Sequence, residues 1–309
     1  MNVLDYSIGT EKLVDPIKVG TVHKLQKSLN KLPTWIQRRI VIAASEKASK
    51  MGFIVEPYAF FLAYEIDEID LAKVATHLPK NFTPAKCAIF KGDAPKYYGI
   101  ISIYRIHASV FWGSRIEAYI IAKNEETGLL SWVILDYVSD TISYDEKSGL
   151  RSPDAEQAVV TTTCEGDFIT DIKRKKSAAE KSRPASLKVI ASLNNAKMRP
   201  LDEQLWIEGN TSICYSREIA GDDGDLFSLT FLPEEMKQAW DIPLRDVEEA
   251  KVSWFKEVFG GKLGKAVCFP FAQHMLSDSP STRTHYGSAA ALRKAAEEVN
   301  FSKISVLNK

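Results

Sequence analysis

Three polar residues, Arg115, Glu117 and Tyr119, alternate along the most strongly β-forming stretch of this sequence, which runs from Tyr97 to Asp145. Side chains alternate between the two faces of a strand, so these three share one face. Together they suit acid/base chemistry. Glu117 would act as general acid or base, Arg115 would anchor a carboxylate or enolate, and Tyr119 would donate a hydrogen bond.

The elements that must position this triplet form a predicted antiparallel meander. Gly113-Ser114 is typical of a two-residue hairpin turn, and the longer polar loop that ends at Gly128 separates the next two strands. These turns predict strands over 97–112, 115–123 and 129–137, and a fourth near 139–145. In that register the neighbours of the triplet on its own face are Trp112, Val110, Ala108, Tyr137, Leu135 and Val133.

Two interpretations of this face stay open. Arg115 and Glu117 would form a structural ion pair if the face is solvated, as one face of an antiparallel sheet often is. If the face instead lines a cavity, a carboxylate there must either pair or have its pKa raised by desolvation, which is what a general acid or base requires. The predicted substrate-binding residues are Trp112 and Trp132 as apolar walls, Tyr137, and Glu208 as a second buried acid.

The rest of the chain predicts an α+β fold dominated by antiparallel sheet. Residues 1–52 are predicted to be a helical subdomain, with a loose start and a helix after Pro33 that ends near Gly52. Residues 53–309 are predicted to be β-rich, with peripheral helices that include a C-terminal helix over Ser288–Val299. The charged segment 173–183 is interpreted as an exposed loop. We expect residues 1–309 to form a single domain.

Composition narrows the classes of function. Forty basic and forty acidic residues give a formal net charge of zero, which does not favour nucleic acid or an anionic membrane as a partner. The four cysteines lack the spacing of a zinc site and suggest a reducing, cytoplasmic environment. The expected partner is a small molecule, without a metal or other cofactor, and a homo-oligomer stays open.

Several short motifs resemble the acetoacetate decarboxylase-like superfamily. They are Tyr64-Glu-Ile-Asp67, Leu78-Pro79 after a short helix, Gly113-x-Arg-x-Glu117 and Gly128-Leu-Leu-Ser-Trp132. The resemblance implies a closed or nearly closed antiparallel β-barrel around a small-molecule cavity. The decarboxylases themselves carry a Gly-Arg-Glu…Pro-Lys-Lys segment whose lysine forms a Schiff base. This chain has no such segment, since its adjacent Lys175 and Lys176 lack the preceding motif.

Two hypotheses of different classes follow. The first is an enzyme that acts on a small carboxylate- or carbonyl-bearing substrate, with Glu117 as acid/base and Arg115 as anion anchor. The second is a non-catalytic β-barrel that binds an apolar or amphipathic ligand such as a fatty acid or pigment. The first hypothesis requires the ionisable carboxylate of Glu117 for activity, whereas the second predicts that ligand binding is unaffected when Glu117 is replaced by glutamine.

Overall fold

The computed structural model of the 309-residue chain describes residues 3–12, 31–45, 50–108, 112–141, 143–145, 149–176, 185–252, 256–278 and 286–300, with a few single positions between 14 and 29. The α-helices are α1 (Val3–Glu11), α2 (Thr34–Ser45), α3 (Leu71–Ala75), α4 (Arg217–Ala220), α5 (Lys256–Phe259) and α6 (Ala289–Glu297). Short 3₁₀ turns lie at Glu68–Asp70, Gly209–Thr211, Pro233–Met236 and Leu244–Asp246, and a π-helical turn spans Gln204–Glu208.

Strands make up most of the fold. They are β1 (Lys50–Val55), β2 (Ala59–Glu65), β3 (Phe82–Pro84), β4 (Lys86–Cys87), β5 (Lys96–Ala108), β6 (Trp112–Asn124), β7 (Leu130–Ser139), β8 (Ser143–Asp145), β9 (Gly149–Arg151), β10 (Ala155–Thr162), β11 (Asp167–Arg174), β12 (Ser186–Ser192), β13 (Lys197–Pro200), β14 (Ile213–Tyr215), β15 (Leu229–Phe231), β16 (Gln238–Ile242), β17 (Val247–Val252), β18 (Lys262–Phe269) and β19 (Gln273–Asp278).

The long strand β5 is the hub of the main sheet. One of its edges pairs with β6, and the other pairs first with β2 and then with β1. The sheet therefore branches: β2 leads through β18 and β16 to β13, whereas β1 leads through β19 to β15. Beyond β6 lies β7, which pairs in parallel with β14. A separate four-stranded sheet has the order β10-β11-β12-β17.

Both faces of the main sheet are buried, because its strands are apolar on both sides. The first core lies against the four-stranded sheet, where the rings of Phe60 and Phe168 stack at 4.5 Å. The second core covers the opposite face and is rich in aromatic residues. In it the rings of Trp132 and Trp206 lie 5.3 Å apart, and Phe61 meets Trp206 edge to face.

The α+β class is confirmed, but the barrel is not. Within the described residues the main sheet is open and branched rather than closed. The predicted helical segment 1–52 contains α1 and α2, yet its start is helical rather than loose, and its end from Lys50 already belongs to β1. The division of the chain into a subdomain and one β-rich body stays a prediction.

The predicted hairpin turn at Gly113-Ser114 is wrong, because both residues lie inside β6. Gly113 is required there for another reason. Its φ is +150°, and a Cβ at this position would lie 2.2 Å from Oδ1 of Asp140, which accepts a hydrogen bond from the Ser114 amide. The connection between β5 and β6 falls at 109–111, so the predicted neighbour Val110 lies outside the described residues.

The register between β5 and β6 differs from the predicted one. It changes the cross-strand neighbours of Arg115, Glu117 and Tyr119, but the three side chains still share one face. Arg115 lies opposite Tyr104, Glu117 opposite Ser102 and Tyr119 opposite Ile100. They replace the predicted Trp112, Val110 and Ala108, and Trp112 pairs with His107 instead.

A bulge in β7 changes the neighbours on the other side. Ala118 pairs with Asp136, but the next residue, Tyr119, pairs with Ile134, so β7 contains one extra residue at this point. Glu117 consequently lies opposite Tyr137 rather than the predicted Leu135. Leu135 and Val133 pack into the first core, on the opposite face from the triplet.

The C-terminal helix lies close to its predicted position. Ser288 caps α6 by accepting a hydrogen bond from the Ala291 amide, and Leu292 and Ala296 are buried against the rest of the chain. Leu292 belongs to the second core, and Ala296 packs with Tyr6 of α1. The helix therefore packs against the core of its own chain, as most helices of this length do.

Replacing Leu292 by aspartate is expected to lower the free energy of unfolding by about 2–4 kcal/mol, because it places an unpaired charge in an apolar core. Urea denaturation measures this change. Ala291→Asp is the matched control, because Ala291 is an exposed neighbour on the same helix and its change should be small. An unchanged urea midpoint for Leu292→Asp, with a smaller species on size exclusion, would instead assign the helix to a subunit interface.

His274 ties α1 to the sheet. Its Nδ1 lies 3.0 Å from Oε1 of Glu235, and its Nε2 lies 3.3 Å from Oε1 of Glu11, the last residue of α1. Carboxylates only accept hydrogen bonds, so a ring with both nitrogens on carboxylates suits the protonated state. Burial lowers the pKa of His274, but the two carboxylates outweigh burial and raise it above its ordinary value.

A raised pKa stabilises the fold at low pH, and this contribution is lost as the pH rises through the folded-state value. The hydrogen-exchange protection factors of the α1 amides are therefore expected to fall as the pH increases above the ordinary histidine value. His274→Gln should remove this dependence, whereas His77→Gln should keep it, because His77 pairs with Glu218 instead. Equal pH dependence in the wild type and His274→Gln would contradict the assignment.

All four cysteines are free thiols, as predicted: Cys87, Cys214 and Cys268 are buried, and Cys164 is exposed. Burial raises the pKa of each of the three buried thiols.

Among the helices of the described residues, none has the length and apolar character needed to cross a membrane.

Candidate functional site

Arg115, Glu117 and Tyr119 form one buried cluster with Tyr104. The Arg115 Nε donates to Oε1 of Glu117 at 2.6 Å, and the hydroxyl groups of Tyr104 and Tyr119 both donate to Oε2 of the same carboxylate, Tyr104 at 2.8 Å. Arg115, Glu117 and Tyr119 are each less than a tenth exposed. Of the two interpretations left open by the sequence, the structure therefore shows a buried face in which the carboxylate is paired.

The register explains why these side chains meet. Arg115 and Tyr104 are directly opposite each other on β6 and β5, and Glu117 and Tyr119 follow at two-residue steps on the same face. The bulge in β7 adds Tyr137 on this face, and the Arg115 guanidinium lies over the Tyr137 ring, 4.2 Å from its centroid. A guanidinium over an aromatic face is attracted by the ring's quadrupole.

The electrostatics of the cluster follow from its burial. Desolvation and the Glu117 charge together raise the pKa of Tyr104 well above its usual value, so its phenol is neutral. Burial alone would lower the pKa of Arg115, but Glu117 and the surrounding tyrosines hold it well above the usual value. The cluster thus contains one fixed cation, one carboxylate and the neutral phenol of Tyr104.

Part of the Arg115 guanidinium has no partner among the described residues. Its Nε is bonded to Glu117 and its Nη1 to Oγ of Ser143 at 3.3 Å, while Nη2 has no hydrogen-bond partner among the described residues. The side chain retains about 10% exposure, and Tyr104 beside it is only partly buried. The Nη1–Nη2 edge therefore presents donors in the fork geometry that matches a carboxylate.

The predicted substrate-binding residues differ in their positions. Trp132 is buried in the second core, with its ring edge-on to Tyr119 at 5.1 Å, and Tyr137 lies against Arg115. Trp112 begins β6, and the placement of its side chain lies outside the described residues. Glu208 ends the π-helical turn, is partly exposed and is therefore not the buried acid that the sequence predicted.

Tyr104 and Ser102 are site residues that the sequence analysis missed. Both lie on β5 directly opposite members of the triplet, but the wrong hairpin turn assigned those places to residues near Trp112. The correct register between β5 and β6 would have identified both residues. Ser102 is fully buried, and its hydroxyl has no hydrogen-bond partner among the described residues.

A second buried cluster lies behind the site. Arg174 of β11 donates through Nη2 to both carboxylate oxygens of Asp136 at 2.9 Å and to the Tyr137 carbonyl at 2.8 Å. Its Nε donates to Asp154 at 3.1 Å. Arg174 is 3% exposed, so the predicted exposed charged loop is wrong at this residue. The cluster fastens the four-stranded sheet to the bulge that places Tyr137 beside Arg115.

Groups of three or more histidine, cysteine, aspartate or glutamate side chains with the arrangement of a metal site are not found within the described residues. The donors of the candidate site are instead a guanidinium, phenols and hydroxyl groups. They are suited to hold an anion and to move protons.

Comparison with known proteins gives similarity only to solved structures. No protein-family model and no curated protein matches the chain. The crystal structure of acetoacetate decarboxylase from Legionella pneumophila subsp. pneumophila str. Philadelphia 1 is similar at a TM-score of 0.42 and 14% identity, over 73% of this chain and 84% of that chain.

Two further solved structures are similar to a comparable extent. The enduracididine biosynthesis enzyme MppR, complexed with the condensation product of pyruvate and imidazole 4-carboxaldehyde, has a TM-score of 0.43 and 8% identity, over 78% of this chain and 90% of its own. An acetoacetate decarboxylase-like enzyme from Sphingomonas wittichii RW1 has a TM-score of 0.41 and 8% identity, over 77% and 94%. At these TM-scores the likeness assigns no residue role, reaction or substrate to this chain.

Proposed function

We propose that this protein is an enzyme that acts on a small carboxylate- or carbonyl-bearing substrate by acid/base chemistry. The observation that carries the proposal is the buried cluster in which one carboxylate, Glu117, accepts hydrogen bonds from Arg115, Tyr104 and Tyr119, while no described residue bonds to Nη2 of Arg115. An ion pair with a purely structural role does not need such a donor edge beside a tyrosine that is only partly buried.

Each residue has a distinct role in this proposal. The Nη1–Nη2 edge of Arg115 anchors the substrate carboxylate or the enolate oxygen. Tyr104, a residue that is only partly buried, is the group that contacts the substrate. Its oxygen takes a proton from the carbon next to the carbonyl, while its own proton passes to Oε2 of Glu117. Glu117 is thus the acid/base behind the phenol, and the reverse transfer returns a proton to carbon.

Apolar and aromatic side chains complete the proposed site. Tyr137 holds the guanidinium plane of Arg115, and Trp132 packs against Tyr119. Aromatic walls exclude water, which strengthens the interactions of the buried charges with each other and with the substrate.

The test is hydrogen exchange at carbon. The protein is incubated in heavy water with a panel of 2-oxo and 3-oxo acids, and loss of the carbon-bound proton next to the carbonyl is followed by proton NMR. Wild-type protein should accelerate exchange, and Tyr104→Phe and Glu117→Gln should each lower kcat/KM by about 10²–10⁴-fold. Tyr64→Phe is the matched control, because Tyr64 also bonds to a glutamate, Glu249, but on the first-core side of the sheet.

The competing function is ligand binding without catalysis. Native mass spectrometry of the purified protein would then show a bound apolar or amphipathic molecule that Glu117→Gln leaves in place. Exchange at carbon would stay at the uncatalysed rate for every oxo acid, which would overturn the enzyme proposal.

A further inference from the structure

The charge balance of the cluster sets how an anion can enter it. Among the described residues, the titratable groups that act on Arg115 are Glu117 on the same strand, Tyr104 on β5, Tyr215 on β14 and Tyr137 on β7. Tyr119 on β6 bonds to the same Glu117 carboxylate. Arg115 and Glu117 cancel each other, and the Tyr104 phenol is neutral because burial and the Glu117 charge raise its pKa. The Arg115 site therefore carries no net positive charge.

A carboxylate bound at the Nη1–Nη2 edge would bring a second negative charge into this buried site. One guanidinium would then face two carboxylates, and a net charge of minus one would be held away from water, which is strongly unfavourable. Two carboxylates that share a buried site avoid this state by keeping one proton between them.

We propose that the Arg115 site binds small monocarboxylates together with one proton taken up from solvent. This inference rests on the anion-anchoring role of Arg115 in the proposed function. The ligand carboxylate accepts hydrogen bonds from Nη1 and Nη2, and the proton is held by the pair formed by the ligand and Glu117. Dicarboxylates such as succinate are disfavoured, because a single proton would leave them charged.

The fully buried Ser102 is a second feature that fits this inference. It lies directly opposite Glu117, and its hydroxyl has no partner among the described residues. Buried hydroxyl groups without partners are rare in folded proteins. When Glu117 carries the proton, its new O–H donor needs an acceptor, and the Ser102 oxygen is an unused acceptor on the neighbouring strand at this level of the sheet.

Calorimetry with acetate and benzoate as probes tests the proposal directly. The binding enthalpy is measured in phosphate and in Tris, which differ in their enthalpy of ionisation, and the difference gives the number of protons taken up. We expect about one proton per ligand, and a Kd that rises about tenfold per pH unit between about pH 6 and 8. Benzamide, which has no charge, should bind without proton uptake.

The Glu117→Gln variant separates this proposal from simple anion binding. It leaves Arg115 with a net positive charge, so it should bind benzoate at least about tenfold more tightly than the wild type at about pH 8, with no proton uptake. Glu249→Gln is the matched control and should behave as the wild type, because Glu249 bonds to Tyr64 on the other face of the sheet.

Three results would overturn the inference. They are binding enthalpies that do not depend on the buffer in the wild type, weaker benzoate binding by Glu117→Gln, and no binding of either probe by both proteins. Proton-coupled binding without exchange at carbon would instead contradict only the proposed catalysis. The two proposals therefore fail in distinguishable ways.

Discussion

Replacing Arg115 by methionine is expected to lower the free energy of unfolding by about 3–5 kcal/mol, because it leaves the Glu117 carboxylate buried without a cation. The carboxylate would keep its bonds from Tyr104 and Tyr119, but neutral donors do not replace the lost positive charge. The loss of stability should be accompanied by loss of carboxylate binding, because the donor edge is removed with the guanidinium.

Urea denaturation measures the change, and a double variant tests its cause. Arg115→Met combined with Glu117→Gln has no unpaired charge, so it should recover a large part of the lost stability. Arg105→Met is the control for removing an arginine from the neighbouring strand. Its partner is Glu56, and both side chains are partly exposed, so the effect should be within about 1 kcal/mol. A single variant as stable as the wild type would show that the pair is solvated.

Replacing Arg174 by methionine is expected to be equally damaging, at about 3–5 kcal/mol, because two buried carboxylates lose their common cation. Asp136 and Asp154 would then repel each other in the contact between the two sheets. The bulge of β7 loses its anchor at the same time, because Arg174 also donates to the Tyr137 carbonyl. We therefore expect the position of Tyr137 against Arg115 to be disturbed.

Stability and site geometry can be measured separately in this case. Urea denaturation reports the first, and the affinity for benzoate reports the second. Changing Asp136 and Asp154 to asparagine in the Arg174→Met background should restore stability in part, because no buried charge remains. Lys173→Met is the control, since the neighbouring Lys173 pairs with an exposed Glu156. Full stability of Arg174→Met would contradict a structural role for this cluster.

The face of the triplet could be predicted from the sequence, but its neighbours could not. The partner of Arg115 moved from position 112 to position 104, an even shift, and an even shift keeps every side chain on its face. Tyr104 was missed because the Gly113-Ser114 signal was interpreted as a turn. The glycine is there instead because Asp140 approaches its backbone, and a tertiary contact of this kind leaves no local pattern.

The burial of Arg174 could have been predicted from the alternation of residues along its strand, but the charged composition of the segment favoured the opposite conclusion. The run Lys173-Arg-Lys-Lys176 favours a solvated segment by composition. Yet the alternation along β11 places Arg174 on the buried face with Phe168, Thr170 and Ile172. Strand period was a better guide here than charge, because a buried arginine is acceptable where carboxylates from another sheet meet it. Those carboxylates are distant in sequence and could not be foreseen.

The bulge in β7 also determines how substitutions in related sequences should be paired. Before the bulge, even-numbered residues of β7, such as Trp132 and Ile134, lie on the site face. After the bulge, odd-numbered residues such as Tyr137 lie on that face. Paired substitutions between β6 and β7 should therefore follow two offset lines of covariation, one through positions 117 and 137 and the other through 119 and 134. A relative that lost the extra residue would carry a single line, and its equivalents of Ile134 and Tyr137 would stand two residues apart on the site face.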